Sequence, residues 1–276
     1  MPIIKFSQNS RLFVVSIGLL TALPPLYAAD GAWRLSDALG LSDGFTLSGE
    51  YQPRLEHYDQ NVQLGASDND KIMVLRTTLK AEYHKHGFST QFEIQDARQQ
   101  LADKDAEIRN IHVSVLDILQ ANVGYTFGTV NTSEIRLGRF TQDWGSRTLM
   151  ARNRFRNAIN TFEGISFIHK RANGDEFKFL STQPVRRTPR DRLSLLDNER
   201  QTDKSSSALR YHGVFASLPK LLPSMLPSAL PDLKLETYYL LLQEKDTSTL
   251  ETANRRLHTF GFRVQSAPSI SGWDVN

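Results

Sequence analysis

Arg152, Arg154 and Arg156 recur at every second position of the segment ARNRFRN. In an extended chain such residues share one face, because successive side chains point to opposite sides. Guanidinium forks hold carboxylates and phosphates through paired hydrogen bonds. Three of them on a low-dielectric wall would concentrate anions and focus the field across a pore. Their neighbourhood is basic, since residues 134–171 carry eight basic side chains against three acidic ones, a net +5. Arg139 and Arg147 belong to that set, and Arg76 and Arg98 are further candidates for the same anion path. Glu93 and Asp96, with Asp143, could brace the arginines or form a second charged lane for sugar hydroxyls. Two other readings suit the same residues: a solvated loop face, or arginines gripping lipopolysaccharide phosphates on the outside.

Other chemistry is poorly represented. The chain has no cysteine, which excludes a disulfide framework and a thiolate metal site. His84 and His86 flank a turn and make at most half a metal site; solvent-exposed turn residues suit them better. No Gly-x-Ser-x-Gly elbow, phosphate loop or His-Glu-x-x-His helix is present. Glu244 and Asp246 form a carboxylate pair without a partner cluster, and glycoside hydrolysis needs two carboxyls held across a sugar. The expectation is a protein with no catalytic residues, no metal and no cofactor. Nor is nucleic acid an expected partner, because the +3 formal charge includes Lys5 and Arg11 of a leader that has no acidic residue, which leaves 31 basic against 30 acidic side chains.

That leader is the first element to place. Lys5 and Arg11 precede an apolar run over residues 12–26, and Tyr27-Ala28-Ala29-Asp30 supplies small residues at a cleavage point. Residues 1–28 thus read as a secretion signal and residues 29–44 as a lead-in. No later stretch of ~20 apolar residues could cross a bilayer as a helix, so a membrane protein built from this chain must be a closed barrel.

Strand signals fill residues 45–276. Met73, Leu75, Thr77, Leu79, Ala81 and Tyr83 alternate with Val74, Arg76, Thr78, Lys80, Glu82 and His84, and Phe88, Thr90, Phe92 and Ile94 alternate with Ser89, Gln91, Glu93 and Gln95. Lys85-His86-Gly87 joins the two as a hairpin, with Gly87 free to take positive φ. Further strands are expected at 46–58, 107–116, 134–142, 162–170, 175–183, 207–217, 233–245 and 257–266, with another starting at 271–276, and Asn173-Gly174 marks a tight turn. In an up-and-down order the turns at 85–87, 171–174 and 267–270 fall on one side. The charged loops at 59–70, 141–161 and 184–206 fall on the other, as in barrels with short periplasmic turns and long extracellular loops. The connection at 117–133 and the Leu/Pro-rich segment at 219–232 do not fit that parity. Alternation does not say which face is inside, so a secreted soluble β-protein binding a carbohydrate is the alternative.

Residues 91–100 (QFEIQDARQQ) and 137–168 carry a resemblance. Gln95-Asp96-Ala97-Arg98, Gly138-Arg139, Gly145 followed by Arg147, the alternating arginines and Phe162-Glu163-Gly164 together resemble the alginate export family of outer-membrane porins. The resemblance implies a wide antiparallel transmembrane β-barrel in the outer membrane of a Gram-negative bacterium. Such a barrel would pass a polar or anionic solute such as a polysaccharide or oligosaccharide, with outer-membrane lipid and periplasmic export components as its other partners. Roughly 11 strands are fewer than a wide barrel of this type requires, and the pattern is still running at Asn276. The chain is therefore expected to be the N-terminal portion of a larger barrel.

Overall fold

The computed structural model describes residues 38–59, 69–102, 108–147, 149–219 and 233–266. The expected signal at 1–28, most of the lead-in, the loop beginning at residue 60, the Leu/Pro-rich segment from residue 220 and the strand start at 271–276 lie outside them. The architecture is all-β. Among the described residues, ten strands follow one another in sequence order in a single antiparallel sheet, whose edges are β1 (Phe45–Asp59) and β10 (Arg256–Ser266). Between them run β2 (Asn69–Lys85), β3 (Phe88–Gln100), β4 (Ser114–Phe127), β5 (Thr132–Phe140), β6 (Phe162–Lys170), β7 (Glu176–Pro184), β8 (Leu209–Leu218) and β9 (Leu233–Glu244). A five-residue helix, α1 (Arg192–Leu196), interrupts the β7–β8 connection; Asp191 caps it by accepting from the Ser194 N–H at 2.9 Å.

The expected hairpins form as their turn residues dictate. His86 and Gly87 both take positive φ, 51° and 84°, as a two-residue turn with right-handed twist requires. A Cβ on Gly87 would lie 2.5 Å from the Thr126 carbonyl oxygen of the adjacent strand, so glycine is required there twice over. Gly174 turns β6 into β7 at φ 93°.

One strand differs from expectation. Of the strand expected at 107–116, the described residues 108–113 are not strand; β4 runs from Ser114 to Phe127 and occupies most of the segment read as the 117–133 connection. The β3–β4 register shifts twice, between Glu93 and Ile94 and between Gln95 and Ala97. Each shift inserts a residue on β4, and Leu116 takes φ 48°. A bulge breaks the two-residue period and hides the strand from a pattern search. With β4 in place the β4–β5 link shortens to a turn at 128–131, and this exception to the parity disappears.

The faces of the sheet are inverted relative to a soluble β-protein. Side chains left open to the surroundings include Leu55 (67% exposed), Leu79 (43%), Phe92 (47%), Val123 (55%), Leu137 (58%) and Phe260 (75%). The opposite face buries Arg76, Thr78, Glu93, Gln95, Gln120, Asn122, Ser166, Thr182 and Glu236. Water would not tolerate the first surface and a dry core would not tolerate the second; a lipid-facing wall around a polar interior explains both. Leu79 and Phe92, on the apolar side of their strands' alternation, both point outward. Leu75, on the same face, is covered between its register neighbours Pro53 and Arg98. At the short-turn end the outer face carries aromatic pairs, Phe45–Tyr83 and Phe88–Tyr125, each with ring centroids 4.7 Å apart. Such rings suit the headgroup level of a bilayer.

Candidate solute path

The 141–161 connection between β5 and β6 folds against the inner face and reaches both halves of the sheet. On one side Asn157 donates to the carbonyls of Leu75 and Arg98, and the Ile159 N–H donates to Gln95 Oε1 at 3.0 Å. On the other side Trp144 and Met150 pack with Leu180, Phe215 and Leu240 of β7, β8 and β9. Strands as far apart as β2 and β9 can meet one loop only if the sheet curls around it. The loop therefore lies within the concave interior, where a solute would pass.

A buried ion pair latches it there. Arg152 donates through both guanidinium nitrogens to Glu93, at 2.6 and 3.0 Å, and a third bond goes to Thr141 Oγ1 at 3.0 Å. Glu93 is 3% exposed and also accepts from Gln120 Nε2 at 2.6 Å, so its charge is fully engaged. Arg76, 2% exposed, donates to the Arg154 and Arg156 carbonyls at 2.9 and 2.8 Å and to Glu50 at 2.6 Å, with Gln52 as a further acceptor. Arg54 of β1 donates to the Phe155 carbonyl and lies over its ring at 4.6 Å.

The segment carrying Arg152, Arg154 and Arg156 is consequently not extended. Asn153 takes φ 58° and residues 154–158 form turns and bends, so the period-two spacing does not place three guanidiniums side by side. Arg152 is in its ion pair, Arg154 is exposed, and Arg156 is half-buried. Arg139 binds Glu163 at 2.7 Å and the Ile118 carbonyl at 3.0 Å. Arg147 is 71% exposed with Asp143 at 3.6 Å. Asp96 and Arg98 pair with each other at 2.9 Å, and strand alternation puts them on the outer face with Ile94. Of the nine residues singled out by sequence, the structure joins Glu93 to Arg152 directly. It ties Arg76 to the backbone of Arg154 and Arg156, and sets Asp96 and Arg98 apart from the interior.

A second basic cluster was not singled out by sequence. Arg186, Arg187 and Arg190 of the β7–β8 connection converge with Arg255 of the β9–β10 connection on a cavity of about 380 Å³ at the loop end. Arg187 donates to the Ala158 carbonyl at 2.9 Å and to Asn160 Oδ1 at 2.7 Å, which ties this cluster to the inner loop. Burial, then repulsion from Arg156, lowers its pKa to about 10. Nearby Asp203 accepts from the Thr188 N–H at 2.7 Å, and its own N–H donates to Asp117. Burial is the main cause that raises the Asp203 pKa to about 6, and the Asp117 carboxylate adds to it. The Arg-Arg doublet and Arg190 were visible in the sequence as part of a charged loop. Their meeting with Arg255, more than 60 residues on, was not.

The profile of the alginate export family matches residues 45–276, the whole of the strand-bearing region. The chain belongs to the alginate export family. That family comprises outer-membrane export channels and is not an enzyme family. No curated protein and no solved structure is significantly similar to the chain. The inverted faces and the sequential antiparallel strands agree with membership in this family of barrels.

Proposed function

We propose that this alginate export family chain forms the wall of an outer-membrane channel for passive passage of an anionic or hydroxyl-rich saccharide, with the 141–161 loop setting the width and charge of the passage. The observation that carries the reading is the loop itself. A polar, positively charged segment is held inside a lipid-facing sheet by a buried Arg152–Glu93 pair and by Arg76. Inward-folded loops narrow a lumen, and fixed charge there selects ions and solutes by sign. Arg154 and Arg156, whose guanidiniums make no side-chain pair among the described residues, supply the charge. Outer-membrane lipid is the partner of the apolar face, the saccharide is the partner of the interior, and periplasmic export components would deliver it at the short-turn end. Residues 1–28 serve as the signal that sends the chain across the inner membrane.

The test is the reversal potential of the inserted protein in a planar bilayer under a salt gradient, with uptake of an anionic oligosaccharide measured in parallel. Anion preference that weakens as salt shortens the Debye length supports the reading. A protein recovered soluble from the periplasm, or a cation-selective pore, would sink it.

A further inference from the structure

Several arginines are already spent on carboxylates. Arg152 neutralises Glu93, Arg139 neutralises Glu163, and Arg98 on the outer face neutralises Asp96. Arg210 of β8 and Arg256 of β10 are different. Both are exposed, and neither meets a carboxylate among the described residues; Arg210 Nε donates to the Ser207 carbonyl at 3.1 Å. The register of the sheet sets them level. Each lies opposite Gln243 of β9, so their backbones stand about 10 Å apart across two strand spacings. Alternation puts both on the face that carries Val214 and Phe260, which are 46% and 75% exposed, and away from the side that buries Phe215.

Below them the same face turns from cationic to apolar in two steps. The next row toward the short-turn end is His212, Leu241 and His258, and the row after it is Val214, Tyr239 and Phe260. The histidines are held by their Nδ1 atoms, His212 at 2.9 Å from Ser181 Oγ and His258 at 2.8 Å from the Tyr239 hydroxyl. Tyr239 and Phe260 lie ring to ring at 4.7 Å. A lipid with an anionic headgroup covers both the cationic row and the apolar track, whereas a free anion would use the arginines and leave the track bare. Guanidiniums on strands two apart can each take a separate phosphate. We propose that the outer wall over β8–β10 is a binding site for a bis-phosphorylated glycolipid, with Arg210 and Arg256 each on one phosphate and the acyl chains along Tyr239 and Phe260. The long-connection end of such barrels faces outward, which places the headgroup in the outer leaflet. The site rests on the reading of the apolar face as a lipid-facing wall, and it lies on the opposite side of the sheet from the solute path.

The test is native mass spectrometry of the detergent-solubilised full chain titrated with diphosphoryl lipid A, with monophosphoryl lipid A, which keeps the acyl chains but has one phosphate, and with phosphatidylglycerol. Diphosphoryl lipid A should bind tightest. Arg210→Gln/Arg256→Gln should weaken its binding by roughly tenfold, and Arg210→Lys/Arg256→Lys less, because charge survives but the planar fork does not. Lys85→Gln, opposite Phe88 at the short-turn end, should leave binding unchanged. On the unaltered chain, diphosphoryl lipid A should protect Arg210 and Arg256 from phenylglyoxal in a peptide map, a result that needs no variant to fold. Equal affinity in the Arg210→Gln/Arg256→Gln variant, or no protection, overturns the site. Inorganic phosphate protecting both arginines as well as lipid A at equal concentration overturns the lipid. Phosphatidylglycerol or monophosphoryl lipid A binding as tightly as the diphosphoryl form overturns the two-phosphate headgroup. Protection in a chain that conducts nothing would sink the channel reading and keep this site; anion-selective conductance without protection would do the reverse.

Discussion

Glu93, 3% exposed, meets the partly buried Arg152 across two hydrogen bonds, and the consequence of breaking the pair is asymmetric. Removing one partner strands a buried charge, at a cost of about 3 to 5 kcal/mol, whereas removing both costs much less. Glu93→Gln should therefore lower the unfolding midpoint in detergent sharply, and Glu93→Gln/Arg152→Gln should recover most of the loss. A double variant as unstable as the single one would mean that the pair does not act as a unit. Asp203 gives a pH dependence of opposite sense to a salt-bridged carboxylate. Its folded pKa of about 6 lies above the ordinary 3.8, so both states are protonated below about pH 4 and nothing is lost there. Between pH 4 and 6 the unfolded chain ionises first, and folding loses about 2 to 3 kcal/mol from this group, constant above that window. Asp203→Asn should flatten the thermal stability profile over pH 4 to 6 and slow proteolysis of the 185–208 connection at pH 7. An unchanged profile would show that Asp203 is solvated.

At the scale of elements, β2 and β3 state the facing rule most clearly. Leu79 and Phe92 are open to lipid, while Lys80 lies on the inner face and pairs with Glu82 at 2.7 Å. Leu79→Arg should impair insertion by about 2 to 4 kcal/mol if it sits near the bilayer midplane, and Lys80→Ala should be far milder. Unfolding titrations in lipid vesicles check the ranking, and quenching of a spin label at residue 79 by aqueous but not lipid-soluble reagents would reverse the facing. β4 teaches a different lesson. Its two bulges bring Asp117, Gln120 and Asn122 inward while Leu116, Ile118 and Val123 point out. The Asp96 carboxylate accepts the Leu116 N–H at 3.1 Å, which gives the irregular backbone there a partner.

For the molecule as a whole, the contrast between spent and unspent arginines predicts how selectivity divides. Arg154→Gln/Arg156→Gln removes two charges that make no side-chain pair among the described residues, so anion preference should fall, with insertion preserved and the difference shrinking at high salt. Arg152→Gln should instead disturb the loop, raising single-channel conductance and its noise while changing selectivity less. Reversal potentials and conductance histograms from the same bilayers separate the two. If Arg152→Gln shifted selectivity at constant conductance, the latch assignment would fail.

Strand periodicity, the His86-Gly87 and Asn173-Gly174 turns and the alternation of short and long connections were legible in the sequence, because each is a local property of a few neighbouring residues. They determined an antiparallel all-β chain, and the order of motifs from Gln95 to Gly164 pointed to its family. The tertiary structure decided what the charges do. Arg152, Arg154 and Arg156 are evenly spaced in sequence, yet Asn153 at positive φ and the grip of Arg76 bend their segment and send the three side chains to different surroundings. Arg186 and Arg255 are far apart in sequence and line one cavity, because the pairing of β8 with β9, Leu209 opposite Glu244, sets the β7–β8 and β9–β10 connections side by side. Which residues share a face of a strand follows from alternation alone, whereas the partner of a long flexible cation depends on which distant carboxylate or carbonyl the folded sheet places within about 3 Å of it.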